Sequence, residues 1–219
     1  MNDSNYVVSE VDGRYSIGTG VTNTKTGLHE WGEYKKLVIP SIIDGKKIEE
    51  ISLYAFYAYT CLEEVIISDG IKEIKTYAFG HCENLNNVII SPSVERIEKC
   101  GIHCLNHTLF SNNSNTNTKL LTSSGVITIT FLPKSNLKYL EQYAISRKEN
   151  IVIYFLGYSS PQSHSNPFYK EYLNSITVYS SHVKYFGGIR VKNNASNNID
   201  CSYSLFIKFT NSVILLIVK

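Results

Sequence analysis

The sequence predicts a β-rich solenoid, a stack of short coils in which each coil closes one turn of the chain. Two observations predict it: apolar landmarks that return at a fixed interval, and apolar alternation inside the returning segments. Ile51, Phe56, Leu62, Val65 and Ile67 recur as Ile74, Phe79, Leu85, Val88 and Ile90, each 23 residues later. Ile97 opens a third cycle at the same interval, with Gly101-Ile102 where Ala55-Phe56 and Ala78-Phe79 stand in the earlier copies. Within a copy, Leu62, Val65 and Ile67 give Leu-x-x-Val-x-Ile, a strand with its approach. Val65 and Ile67 share one side of it because strand side chains alternate. The Ala-Phe pair then turns the coil and its ring fills the inside. One 23-residue coil cannot bury such a face alone, so the coils must stack, with parallel strands expected along one side. Leu37-Val38-Ile39-Pro40 matches Val65-Ile66-Ile67-Ser68 as an earlier strand. A longer turn carrying Asp44-Gly45, a strong turn signal, separates it from Ile48 and Ile51.

These residues also carry a family likeness. Ile39 to Ile51 and Tyr77 to Leu85 resemble the BspA-like leucine-rich repeat in an Ile-Pro strand end, a Val-x-x-Ile step and Ala-Phe-x-x-Cys-x-x-Leu. The match is close from Leu37 to Cys104. Ser68 and Ser91 depart from it where the pattern has Pro, and Tyr59 stands where the first full copy would have Cys. The resemblance implies a short leucine-rich-repeat solenoid with short helical or 3-10 turns. It further implies a non-enzymatic surface or secreted protein, of the kind found in bacteria and protist parasites, that serves adhesion or recognises a protein or glycan ligand on a host or neighbouring cell.

Around the repeats the chain divides by composition. Residues 1–36 hold Tyr6-Val7-Val8, Asp12-Gly13 and Tyr15-Ser16-Ile17, which read as a hairpin capping the open edge of the first coil. Residues 37–110 are the repeats, and 111–126 an Asn/Ser/Thr-rich loop unable to bury a face. Residues 127–192 read as a degenerate repeat followed by a C-terminal cap. Ile127-Thr-Ile129-Thr-Phe131 alternates as a strand, and Ile145 takes the Phe role of this coil. Ile151–Leu156, Pro161, Pro167, Phe168, Ile176–Tyr179 and Tyr185-Phe186-Gly187-Gly188 follow, an order similar to the closing segment of protist BspA-like proteins. Residues 193–219 read as a linker and an apolar tail.

Composition narrows the function. The chain has 219 residues, 43% hydrophobic and 18% charged, with 21 Lys and Arg against 19 Asp and Glu. A formal charge of +2 argues against a nucleic-acid or anionic-membrane partner. Five cysteines, an odd number in a chain too long to need staples, read as reduced or buried thiols. The start, Met-Asn-Asp-Ser-Asn-Tyr, lacks the basic and apolar runs of a secretory signal. The longest apolar run, Val213–Val218, falls far below the roughly 20 residues of a spanning helix, so no transmembrane segment is expected. Location is therefore expected to be the surface or outside by resemblance, with the cytoplasm as the alternative. Asn2, Asn106, Asn112 and Asn194 fit the glycosylation acceptor pattern, a weak sign of surface exposure in so Asn-rich a chain.

A search for chemistry returns little. The chain has no phosphate-binding loop, no His-Glu-x-x-His, no Gly-x-Ser-x-Gly and no Cys-x-x-Cys. His81, Cys82, Cys100, His103, Cys104 and His107 are ligand types for zinc, but only Cys100/Cys104 approaches a ligand spacing. Cys82 is the repeat's own inward thiol. Neighbouring His81 and Cys82 on a strand would face opposite sides, and Glu63-Glu64 reads as a solvated face. No catalytic residue, metal or cofactor is expected. The candidate site is the outward side of the stacked strands: Ile66 and Ile89, which alternation points away from the interior, with Glu63, Glu64, Asn86 and Asn87 beside them. Two readings of the Ile pair stand open, an exposed contact for a ligand or mutual packing across adjacent strands. A second functional reading is a spacer or display scaffold without a ligand of its own.

Overall fold

The computed structural model describes residues 5–19, 27–28, 34–104, 125–146, 150–192, 209–210 and 213–214. His107, the four Asn acceptors, the 111–124 part of the polar loop and nearly all of 193–219 lie outside the described residues. Within the last segment only Phe209–Thr210 and Val213–Ile214 are placed, paired antiparallel.

The described chain winds as a three-sided coil. The first side is a six-stranded parallel sheet of β3 (Lys36–Ile39), β6 (Glu64–Ile67), β9 (Asn87–Ile90), β12 (Ile127–Phe131), β15 (Ile151–Phe155) and β17 (Ile176–Tyr179). The second is an eight-stranded sheet. It starts with the hairpin β1 (Val8–Val11) and β2 (Arg14–Ile17), and continues through β5 (Lys46–Ile51), β7 (Glu73–Ile74), β10 (Arg96–Ile97), β13 (Tyr139–Leu140) and β16 (Gln162–Ser163). β4 (Ile42–Ile43) pairs antiparallel with β5. The third side is a short sheet of β8 (Phe79–Gly80), β11 (Ile102–His103) and β14 (Ile145–Ser146). A hairpin of β18 (Tyr185–Phe186) and β19 (Ile189–Arg190) follows the last coil. The one described helix is a 3-10 helix, Lys170–Ser175.

The sequence interval is the register of these sheets. Val65 pairs with Val88 and Ile67 with Ile90 on the first side. Ile51, Ile74, Ile97 and Leu140 stand in line on the second. Phe79, Ile102 and Ile145 do so on the third. Pairing therefore extends to all three sides rather than the one expected. The second and third sides escape alternation because most of their strands are only two residues long, too short for a period of two to show. Residues 105–124 fall between β11 and β12, yet β12 pairs in register with β9 and β14 with β11 on either side of them.

The core is the inside of the coil. Leu37, Val65, Val88, Ile129, Ile153 and Val178 form one fully buried line along the first side. The Phe56 and Phe79 rings stack one above the other, 5.2 Å between centroids and 7° from parallel. Burying each such side chain contributes about 1.5–3 kcal/mol, and the column of them holds the stack together. The departures from the repeat pattern are accommodated locally. Ser91 Oγ, in place of Pro, donates to the Ser68 carbonyl of the coil before. The Tyr59 hydroxyl, in place of Cys, accepts from the Tyr34 amide. Asp12-Gly13, Asp44-Gly45 and Gly187-Gly188 all hold positive φ at both residues, which gives each hairpin its two-residue turn.

Candidate functional site

The outward side of the six-stranded sheet is built from positions between the buried ones. Alternation lines them up in two ladders across the coils. One runs Lys36, Glu64, Asn87, Thr128, Val152 and Thr177. The other runs Val38, Ile66, Ile89, Thr130, Tyr154 and Tyr179, and Lys192 bridges to Tyr179 at its far end. At about 4.8 Å per strand, each ladder spans roughly 24 Å.

The structure brings the six sequence-derived residues onto one face and, of the two readings of the Ile pair, gives the packed one. Ile66 and Ile89 point outward but are not exposed, retaining 3% and 6% of their surface. Each has a neighbour at the same register on both sides, and β-branched chains so spaced cover one another. Val38 shows the difference: on the edge strand, with a ladder neighbour on one side only, it keeps 37%. Glu63 and Glu64 are half-buried and paired. Glu63 Oε1 lies 2.8 Å from Lys35 Nζ, and Glu64 Oε1 lies 2.5 Å from Lys36 Nζ. Asn87 Nδ2 donates to Glu64 Oε2 at 3.1 Å. Asn86 is exposed, and its amide donates to the Glu63 carbonyl. This half of the face is a set of polar groups that partner each other around an apolar line.

The other half was not read from the sequence. Tyr154 and Tyr179 stack at 5.4 Å and 18°. Lys192 Nζ donates to Thr177 Oγ1 at 3.4 Å. The signal was available: carrying the Ile66/Ile89 position forward through the segments Ile127–Phe131, Ile151–Leu156 and Ile176–Tyr179 leads to Thr130, Tyr154 and Tyr179.

The His/Cys cluster lies on the third side. His103 is buried, with its Nδ1 2.6 Å from Ser146 Oγ and its ring 5.3 Å from that of His81. Burial first, and His81 second, push its pKa down to about 4. Cys100 and Cys104 are also buried, and burial raises the Cys100 thiol. Cys82 Sγ donates to the Phe56 carbonyl. Among the described residues no three His, Cys, Asp or Glu side chains gather where they could hold a metal ion. No described helix is long and apolar enough to cross a membrane.

Parallel coils in register, with an inward Leu/Ile/Val/Phe column and outward ladders of mixed polarity, define a leucine-rich-repeat solenoid. Residues 34–124 match the family model for the BspA type leucine rich repeat region, in six copies. Residues 34–124 therefore carry BspA-type leucine-rich repeats, a family of binding scaffolds rather than of catalysts. Among solved structures, a leucine-rich repeat protein from Bacteroides ovatus is similar at 17% identity and a TM-score of 0.37, over 85% of this chain and 44% of that one. The chain thus spans under half the length of that protein. A search of curated proteins found no match.

Proposed function

We propose that the chain is a surface-associated adhesion or recognition module whose outward sheet face meets a protein or glycan ligand. What supports this is the continuity of that face: six strands in unbroken register give straight rows of half-buried side chains, a regular surface on which an extended partner makes repeated contacts. Glu63, Glu64, Asn86 and Asn87 form the polar contact region of the early coils. Ile66 and Ile89 stiffen it from beneath rather than touching the ligand. A location outside the cell or at its surface suits such a module.

A spacer without a ligand is the second reading, and the mutual pairing of Glu64, Lys36 and Asn87 favours it, because groups already partnered gain less from a ligand. Screening the whole chain against arrayed glycans and extracellular-matrix proteins separates the two. The recognition reading expects a saturable partner; a partner held by the early coils is lost on combining Glu63→Lys with Asn86→Lys while the melting temperature stays within a few degrees. A chain that binds nothing on either array is a spacer.

A further inference from the structure

Charge is distributed unevenly along the stack. In the early coils Lys35, Lys36, Lys47, Lys72, Lys75 and Arg96 each lie within 4.0 Å of a carboxylate. From Asn150 to Lys192 the sequence holds Lys170, Lys184, Arg190 and Lys192 against Glu171 alone. None of these four cations forms an ion pair with a described carboxylate.

Arg190 and Lys192 share one surface, and Lys184 is exposed at the start of the same hairpin. The Val191 amide donates to the Lys184 carbonyl and the Lys192 amide to that of Val178. With Val191 buried, its neighbours Arg190 and Lys192 point outward, and both are exposed, as is Lys184. Aromatic rings border these cations. Tyr185 pairs with Arg190 across the hairpin and is 55% exposed. Ser160 Oγ donates to the Tyr185 carbonyl, which brings the preceding turn alongside. In that turn Tyr158, 65% exposed, lies 4.6 Å from the His182 ring. Lys192 closes the outward ladder next to Tyr179.

We infer that this C-terminal end of the outward face binds an acidic glycan, a chain of pyranose units bearing carboxylate or sulfate. The inference rests on the recognition reading above and names its ligand class. Three cations without a described carboxylate partner supply attraction for the anionic groups. Exposed tyrosines offer flat faces to the apolar C–H side of a sugar ring, with an O–H at the edge for its hydroxyls. The threonine hydroxyls of Thr128, Thr130 and Thr177 continue the same rows, and the strand spacing is close to the length of one pyranose unit. A purely acidic peptide such as polyglutamate would use the cations but brings no ring to match the tyrosines.

The test titrates the whole chain with a heparin-derived oligosaccharide, with neutral dextran and with polyglutamate. The heparin oligosaccharide is expected to bind best and to weaken steeply with added salt. Combining Lys184→Ala, Arg190→Ala and Lys192→Ala should cost at least about tenfold in affinity, a change of about 1.4 kcal/mol. Lys138→Ala, which removes one charge from the second side, should leave it unchanged. Tyr158→Ala should weaken heparin severalfold and leave any polyglutamate binding as it was. Full heparin affinity in the triple variant overturns the inference, as does polyglutamate binding as tightly as heparin. If dextran or a matrix protein binds and heparin does not, the recognition reading stands and this assignment falls. If nothing binds, both fall.

Discussion

His103 sits in a setting unlike that of an ordinary surface histidine. Its ring is buried between Tyr77, His81 and Tyr169, with Ser146 on Nδ1. The neutral form fits; a charged one would lose water and face His81. With a folded pKa near 4 against an ordinary 6.5, the unfolded chain binds the extra proton first. Stability is therefore full above pH 6.5 and falls as pH drops from there towards 4, by on the order of 3 kcal/mol from this group. Melting the wild type and His103→Gln across that range should show a steeper loss for the wild type. Equal slopes would place the acid sensitivity elsewhere. The sequence presented His103 as one member of a metal-type cluster. Burial, which decides its behaviour, depends on the β11–β14 pairing across residues 105–124, a contact that no local pattern encodes.

At the level of the element, the corner between the second and third sides repeats a backbone cost. Tyr54, Tyr77, Cys100 and Tyr143 occupy equivalent positions in successive coils, and all have φ between 53° and 56°. Ala58 and His81, at 55° and 58°, form a second such pair. Left-handed backbone costs a non-glycine residue about 1–2 kcal/mol. The tyrosines recover part of it by stacking, Tyr54 on Tyr77 at 5.3 Å and Tyr143 on Tyr169 at 4.1 Å. Ala58 has no ring to stack, and Lys134, at φ 65°, is exposed. Ala58→Gly and Lys134→Gly should each raise stability by about 0.5 kcal/mol in a denaturant titration, the relieved strain less the added freedom of the unfolded chain. Tyr77→Gly should lower it. Much of this element structure was legible. The interval from Ile51 to Ile74 is the β5–β7 register, Asp12-Gly13 is a hairpin turn as its sequence suggests, and the turn read at Asp44-Gly45 proves to close a second hairpin, β4–β5. The outward ladder was legible in direction but not in burial: alternation says which way Ile66 points, whereas its cover comes from Val38 and Ile89 on other strands.

Over the whole molecule, the inner column needs ends as well as a middle. At one end the Gly27 amide donates to the Ala55 carbonyl at 2.7 Å, and a Cβ on Gly27 would lie 2.8 Å from the Phe56 ring. At the other, a Cβ on Gly187 would lie 2.6 Å from the Phe168 ring, with φ already at +55°. Backbone closes directly onto the outermost rings, and only glycine comes that near. Gly27→Ala and Gly187→Ala should each destabilise the fold by about 1–3 kcal/mol. Gly187→Ala should cost more, because it adds backbone strain. Calorimetric melting of the two variants checks the order, and an unshifted transition in either would mean that end is loosely closed.

The register across residues 105–124 bears on how this chain could be altered. Ile102 meets Ile145 and Asn87 meets Thr128 as if one plain coil intervened. The rungs on either side keep this pairing over a longer stretch of sequence than separates the earlier rungs, because stack energy resides in the rungs and added chain length costs little entropy. The stretch between Cys104 and Gly125 is thus a graft point, where a foreign epitope or reporter could be spliced in while the rungs before and after it keep their pairing.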